Sequence, residues 1–114
     1  RKRIGVLIFT CLLVGCVSPD KYSWGGYEDS LYKYYKKPDT EDQFLQVLEK
    51  ALIKGEAANN VAPGLFAEAG YIHMQQGNTQ KAIEYFSREK ELWPESSALM
   101  TKMVELLTTQ NSQE

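Results

Sequence analysis

The chain has 114 residues, of which 43% are hydrophobic and 25% charged, and its formal net charge is −2. This length excludes more than one domain of ordinary size, and the composition is that of a soluble globular protein rather than a disordered or fibrous one. The N-terminal segment departs from this average.

The first fifteen residues are organised as a signal peptide. Residues 1–3 are basic, residues 4–14 form an apolar run, and Gly15 precedes Cys16. Eleven residues are too few for a helix to cross a hydrocarbon core of about 30 Å, which takes roughly 20. We therefore predict a cleaved signal at residues 1–15 rather than a membrane span.

The end of this apolar run resembles the lipobox of bacterial lipoproteins. In Leu13-Val14-Gly15-Cys16 the resemblance implies cleavage between Gly15 and Cys16 and a diacylglyceryl (palmitate-type) group on the Cys16 thiol. An ordinary secretory signal that ends in cysteine is the alternative. An anchor of two or more chains is stable, since each buried CH₂ contributes about 0.8 kcal/mol. Val17 stands where an aspartate would retain the protein at the inner membrane, so the implied location is the periplasmic face of the outer membrane.

Processing at Cys16 changes the charge and the cysteine content. Residues 1–15 carry three basic and no acidic side chains, so their removal shifts the net charge from −2 to −5. This balance argues against a nucleic-acid partner and against electrostatic adhesion to anionic lipid. Cys11 leaves with the signal and Cys16 becomes a thioether, so the fold must rest on an apolar core without a disulfide.

Residues 16–27 are predicted to be a lipidated tether rich in aromatic side chains and glycine. Tyr22, Trp24 and Tyr27 surround two glycines that disfavour a helix. These rings are candidates for a partner-binding surface, because Tyr and Trp supply rigid contact area with a polar tip. Alternatively, they cover an open end of a small helical domain.

Two helices are predicted next. The first carries Leu31 and Tyr34 and stops at Pro38. Thr40 and Gln43 have the spacing of a capping box that opens the second helix. Its apolar stripe is formed by Phe44, Leu45, Leu48, Ala51 and Leu52. Gly55 is a plausible end, and residues 56–58 are the alternative extension.

Residues 63–94 predict a helical hairpin. Its first helix runs from about Gly64 to Gln76, Gly77 ends it, and the second helix stops before Pro94. Asn78-Thr79 is expected to turn the chain and to cap the second helix.

The hairpin resembles a tetratricopeptide repeat, a helix-turn-helix unit of 34 residues. The residues that carry the resemblance, and that are predicted to pack the repeat, are Phe66, Gly70, Gly77, Ala82, Phe86 and Pro94. Glu89 stands where the family usually has alanine and is expected to loosen packing against a following repeat. The resemblance implies that the first helix lines a concave surface, which makes Tyr71, Met74 and Gln75 further candidates for partner binding. With a single repeat this groove is short, and a convex or end-on contact is equally open.

A last helix follows Pro94 and is expected to cap the hairpin. Its apolar side chains are Leu99, Met100, Met103, Val104, Leu106 and Leu107. We therefore predict an all-α fold: a short helical array in residues 28–108, with one tetratricopeptide-like hairpin flanked by an N-terminal helix pair and a C-terminal capping helix. Residues 109–114 are predicted to be a frayed tail.

No residues form a recognisable catalytic or metal-binding motif. His73 is the single histidine, and no free cysteine remains after processing. We therefore predict no catalytic residues, no metal and no cofactor, and we expect His73 to be a packed structural residue. The protein is not expected to be an enzyme.

Taken together, the lipobox, the segment Tyr22–Tyr27, the tyrosine-rich helix and the single repeat resemble small bacterial outer-membrane lipoproteins of unknown function. Members of that group are encoded beside CsgG-type assembly lipoproteins. The resemblance implies a lipid-anchored periplasmic adaptor that binds another envelope protein or lipoprotein, with no nucleic-acid partner. The alternative is a protein that binds glycan or peptidoglycan by stacking on Trp24 and the nearby tyrosines.

Overall fold

The computed structural model describes residues 21–113. The predicted signal peptide, its cleavage site at Gly15 and the lipidation site at Cys16 lie outside the described residues. Five α-helices follow one another: α1 Tyr27–Lys36, α2 Glu41–Ala57, α3 Leu65–Gln75, α4 Thr79–Leu92 and α5 Ser97–Asn111. Because residues 21–113 contain helices and no β-strand, the predicted all-α class is confirmed.

The helices form an array in which each one packs on the next along the chain. The larger core lies where α2 meets the α3–α4 hairpin and includes the buried rings of Phe44 and Phe66. A smaller core between α4 and α5 contains Phe86, Met100 and Leu107. α5 continues to Asn111, so helical structure extends into the segment that the sequence predicts to be frayed.

Helices α3 and α4 approach closely at Gly70. A Cβ atom added to Gly70 would lie 2.8 Å from Cε1 of Phe86, closer than real Cβ atoms come. Ala69 and Ala82 are fully buried beside this contact. The missing side chain at Gly70 therefore sets the separation of the two helices.

Gly77 ends α3 in the left-handed region, with φ of 79°. The Asn78 amide donates to the His73 carbonyl at 2.8 Å, and the Gly77 amide donates to the Met74 carbonyl at 3.1 Å. These two bonds are those of a Schellman motif, which satisfies carbonyls left open at a helix end. The Asn78 side chain makes no capping bond to α4, so that part of the prediction is wrong.

α2 does not stop at Gly55, because the helix continues to Ala57. Asn59 takes the left-handed conformation instead, with φ of 54°, and the Asn60 amide donates to the Gly55 carbonyl at 2.9 Å. Gly55 serves packing: a Cβ there would lie 3.2 Å from Cα of Val61. The connector after α2 folds back on the helix at this glycine.

The predicted capping box at Thr40 is wrong. Its hydroxyl donates to the Lys37 carbonyl at 2.8 Å instead of accepting from the first turn of α2. The same link precedes α5, where the Ser96 hydroxyl donates to the Trp93 carbonyl at 2.7 Å. In both links a proline opens a 3₁₀ turn, Pro38–Thr40 or Pro94–Ser96, and this turn directs the hydroxyl backward.

Glu89 does not loosen the array as expected; it caps a neighbouring helix. Its carboxylate accepts hydrogen bonds from the backbone amides of Gly64 at 2.6 Å and Ala67 at 3.3 Å, at the start of α3. These amides have no intrahelical partner, and a carboxylate there also interacts favourably with the helix dipole. Burial raises the pKa of Glu89, while the amide hydrogen bonds act in the opposite direction.

α5 packs with only part of its apolar residues. Met100 and Leu107 are buried against α4, and Met103 and Val104 are half-buried. Leu99 and Leu106, expected to join this packed stripe, are 62% and 53% exposed. The reason is geometric. The six apolar residues are spread over a wider part of the circumference of α5 than the surface of α4 covers.

Candidate functional site

A continuous row of six aromatic rings crosses one end of the domain. Successive ring centroids lie 5.2–6.2 Å apart. The row runs, in order, through Trp93, Tyr22, Trp24, Tyr27, Phe44 and Tyr34. We call these six residues the aromatic row.

Three members of the row are predicted partner-binding residues. Tyr22, Trp24 and Tyr27 are half-buried and pack against the larger core, so the second half of the predicted tether belongs to the folded domain. Trp24 has Tyr27 tilted against it at 5.6 Å and Tyr22 edge-on at 6.2 Å. Glycan stacking on Trp24 stays a prediction, and these neighbours limit the ring area open to a sugar.

Two tyrosine hydroxyls of the row fix α1 in place. Tyr27 donates to Glu68 on α3 at 2.6 Å, and Tyr34 donates to Glu41 on α2 at 2.9 Å. Burial, together with the Glu68 hydrogen bond, raises the pKa of Tyr27, and the Glu41 hydrogen bond raises the pKa of Tyr34. Both phenols therefore stay protonated donors and hold α1 against its two neighbours.

A cleft of about 380 Å³ opens beside Trp93, at the first ring of the aromatic row. Its lining brings together the start of the described chain, the connector after α2 and the end of α4. The lining residues are Lys21, Tyr22, Glu56, Asn59, Asn60, Val61, Arg88, Leu92 and Trp93. We call this the Trp93 cleft.

Trp93 was not singled out from the sequence, yet it carries an unusual feature. Its indole Nε1 is buried and has no hydrogen-bond partner among residues 21–113. A buried donor without an acceptor costs about 1–3 kcal/mol. Such groups are rare and call for an explanation, commonly a bound water or ligand.

Charged side chains of both signs border the Trp93 cleft. Arg88 donates through Nε to Glu56 at 2.7 Å and through Nη1 to Glu91 at 2.8 Å. These groups are partly exposed, and ion pairs of this kind contribute about 0–1 kcal/mol. Lys21 adds an exposed cation at the same place.

The candidates on α3 differ in accessibility. Tyr71 is 49% exposed, and Gln75 is exposed and donates to the Tyr71 hydroxyl at 3.3 Å. Met74 is half-buried and packs against the smaller core. Only Tyr71 and Gln75 of this group therefore present substantial surface to a partner.

A partly buried polar cluster joins α2 to the hairpin. Glu49 Oε1 lies 2.8 Å from His73 Nε2 and accepts from the Tyr85 hydroxyl, also at 2.8 Å. Asn78 Nδ2 contacts His73 Nδ1 at 3.3 Å, so a neutral His73 with its proton on Nε2 satisfies both contacts. Burial acts to raise the pKa of Glu49, but the hydrogen bonds from His73 and Tyr85 outweigh it and the pKa is lowered.

This cluster is suited to holding helices together. The Glu49 carboxylate is occupied by two protein donors, His73 and Tyr85. Burial, together with the hydrogen bond to Glu49, raises the pKa of the Tyr85 phenol.

Within residues 21–113, no group of three histidine, cysteine or acidic side chains is arranged to hold a metal ion. Over the same residues, no helix combines the length and apolar character that crossing a membrane takes.

A pair of exposed aliphatic side chains outside the row lies on α5. Leu99 and Leu106 are separated by seven residues, about two helical turns, and so lie on the same side of the helix. Half-buried Met103 lies between them. Another exposed aliphatic side chain, Ile53 at 69%, stands on α2.

Comparison with known proteins places this arrangement in a family. Residues 21–103, more than half of the chain, match the model of a family described as a domain of unknown function, DUF4810. No curated protein matches the chain, and no solved structure does. The matched segment runs from the aromatic row into α5, and the chain belongs to the DUF4810 family.

Proposed function

We propose that this protein is a lipid-anchored interaction module that binds another envelope protein at the periplasmic face of the outer membrane. The lipobox-like segment supports the anchor, and the resemblance to lipoproteins encoded beside CsgG-type proteins supports an accessory role in an assembly or secretion complex. The all-α array, with its tetratricopeptide-like hairpin, is a scaffold commonly used for protein binding.

One observation carries the binding proposal: the exposed apolar side of α5. Leu99 and Leu106 are 62% and 53% exposed and lie about 100° around the helix from Met100 and Leu107, which pack on α4. In helical arrays each unit buries the apolar side of its neighbour, and a terminal element normally has a polar outer side. The two exposed leucines on this flank of the last helix therefore favour a further helix as their cover.

The occupant that fits is an amphipathic helix of the partner protein. Seven residues of helix rise about 10.5 Å, so Leu99 and Leu106 offer two contacts that match apolar residues spaced i and i+7 on an incoming helix. Such a helix would continue the stacking that α4 and α5 already show. The partner helix would thus occupy the place of the next element of the array.

Charge substitutions test this surface. We expect Leu99→Glu with Leu106→Glu to abolish recovery of the envelope partner when the anchored protein is purified from membranes. Ile53→Glu is the matched control, since it also places a carboxylate at an exposed aliphatic site. Urea unfolding verifies that all variants are folded. Recovery of the same partner by the double variant would contradict the proposal.

The anchor has a separate test. We expect a radioactive fatty acid to label the protein and the label to be lost in Cys16→Ser. Label that persists in Cys16→Ser would refute lipidation at this residue while leaving the α5 surface to be judged by the partner assay.

A further inference from the structure

We propose that the Trp93 cleft faces the membrane and holds the headgroup of a zwitterionic phospholipid, which carries a phosphate beside an ammonium group. This inference rests on the lipid anchor of the proposed function. It adds to that function an orientation of the domain and a ligand for the cleft.

The N-terminal chain is fixed to the domain at this cleft. The Ser23 amide donates to the Asn60 carbonyl at 3.2 Å, and the Ser23 hydroxyl donates to Asn60 Oδ1 at 2.7 Å. Lys21 and Tyr22 then line the cleft. Cys16 is five residues before Lys21, a distance of at most about 18 Å in an extended chain. An acyl group on Cys16 therefore keeps the cleft close to the headgroup layer.

The lining suits a headgroup with both charges. Lys21 and Arg88 offer the donors that bind phosphate, and Glu56 offers a carboxylate for an ammonium group. The Arg88–Glu56 pair is partly exposed, and weak pairs of this kind can exchange partners at little cost. The net charge of −5 after processing disfavours attraction to a purely anionic membrane surface. A cleft lined by charges of both signs does not require an anionic surface.

The aromatic side chains fit the same location. Trp93 and Tyr22 meet edge-to-face at 6.1 Å at the cleft, and Trp and Tyr are favoured at the headgroup level of bilayers. The ring of Trp93 lines the cleft, so a headgroup held there would contact this ring.

The two tryptophans of the chain allow a direct test. Trp24→Phe leaves Trp93 as the only indole, and Trp93→Phe leaves Trp24. The lipidated protein is placed in phosphatidylethanolamine vesicles whose acyl chains are brominated near the headgroup, and vesicle flotation verifies anchoring. We expect bromine to quench Trp93 more strongly than Trp24.

A charge substitution gives a second measurement that does not depend on the tryptophan variants. Short-chain phosphatidylethanolamine, phosphoethanolamine and inorganic phosphate are titrated into the protein. We expect Lys21→Glu to weaken binding of the two zwitterionic probes roughly tenfold. Lys102→Glu, an equivalent change at an exposed site on α5, is expected to leave it unchanged.

The outcomes separate this inference from the proposed function. Equal quenching of Trp93 and Trp24 in protein that floats with vesicles would overturn the orientation and leave the anchor intact. Phosphate bound as tightly as phosphoethanolamine would overturn the zwitterionic ligand. Lipidated protein that fails to float would contradict the anchor itself, and the inference with it.

Discussion

Gly70→Ala tests the closest approach in the domain. The alanine Cβ would lie 2.8 and 2.9 Å from Cε1 and Cδ1 of Phe86. Phe86 is 2% exposed and packs within the smaller core, so its ring would have to shift against its buried neighbours. Overpacking of this kind costs about 1–3 kcal/mol. Replacing a helical glycine by alanine contributes roughly 1 kcal/mol in the opposite direction.

The expected result is a net loss of about 1 kcal/mol in the free energy of unfolding. Urea unfolding followed by circular dichroism measures it as a lower midpoint with an unchanged slope. Phe86→Leu removes the ring that the new methyl group meets, so the two substitutions should be coupled by at least about 0.5 kcal/mol. A gain of about 1 kcal/mol for Gly70→Ala, the helix-propensity effect alone, would refute the close approach of α3 and α4.

Asn59→Gly should stabilise the domain by about 0.5 kcal/mol, because glycine takes a φ of 54° without Cβ strain; a lower urea midpoint would contradict this. Glu49→Ala should cost about 2 kcal/mol, since it removes the acceptor of the buried His73 and Tyr85 donors, whereas exposed Lys50→Ala should change little. The carboxylates of Glu49 and Glu89 should have opposite effects on the pH dependence of stability. Glu49, with its lowered pKa, stabilises the fold above the usual value of 4.5, and this is lost as pH falls through its folded pKa. Glu89, with its raised pKa, makes stability fall as pH rises from 4.5 through its folded pKa. Urea midpoints from pH 3 to 8 should show each slope disappear in Glu49→Gln or Glu89→Gln, and an unchanged slope would show that the other groups cause it.

Local sequence signals predicted the helical order well. Apolar periodicity in residues 41–57 and 65–92 marks the sides that are buried, because each helix needs one apolar side to join the core. Gly77 and Pro94 stand at helix ends for reasons that act within a few residues: a positive φ and a missing amide hydrogen.

Interactions between distant segments were not predictable in this way. Glu89 caps amides 25 and 22 residues earlier in the chain, and Glu49 meets His73 across 24 residues. In the sequence these look like ordinary polar positions on helices. The tertiary packing of α2 and α4 on α3 decides their role, and no periodic pattern records it.

The two proline turns show a competition between local signals. Thr40 has the spacing of a capping box, but Pro38 starts a 3₁₀ turn that places its hydroxyl against the Lys37 carbonyl. Trp93-Pro94-Glu95-Ser96 repeats the pattern of Lys37-Pro38-Asp39-Thr40. A comparison of these two segments would have drawn attention to Trp93 and to the cleft beside it.

Crosslinking in living cells from the exposed flank of α5 shows directly whether this helix contacts a partner. A photoreactive amino acid in place of Leu106 should give one adduct with another envelope protein, identified by mass spectrometry, in the anchored chain. The same amino acid in place of Ile53, which is also exposed, should not give that adduct. Adducts that are identical from both positions, or that consist only of two copies of this chain, would contradict the proposed role of α5 in binding a partner.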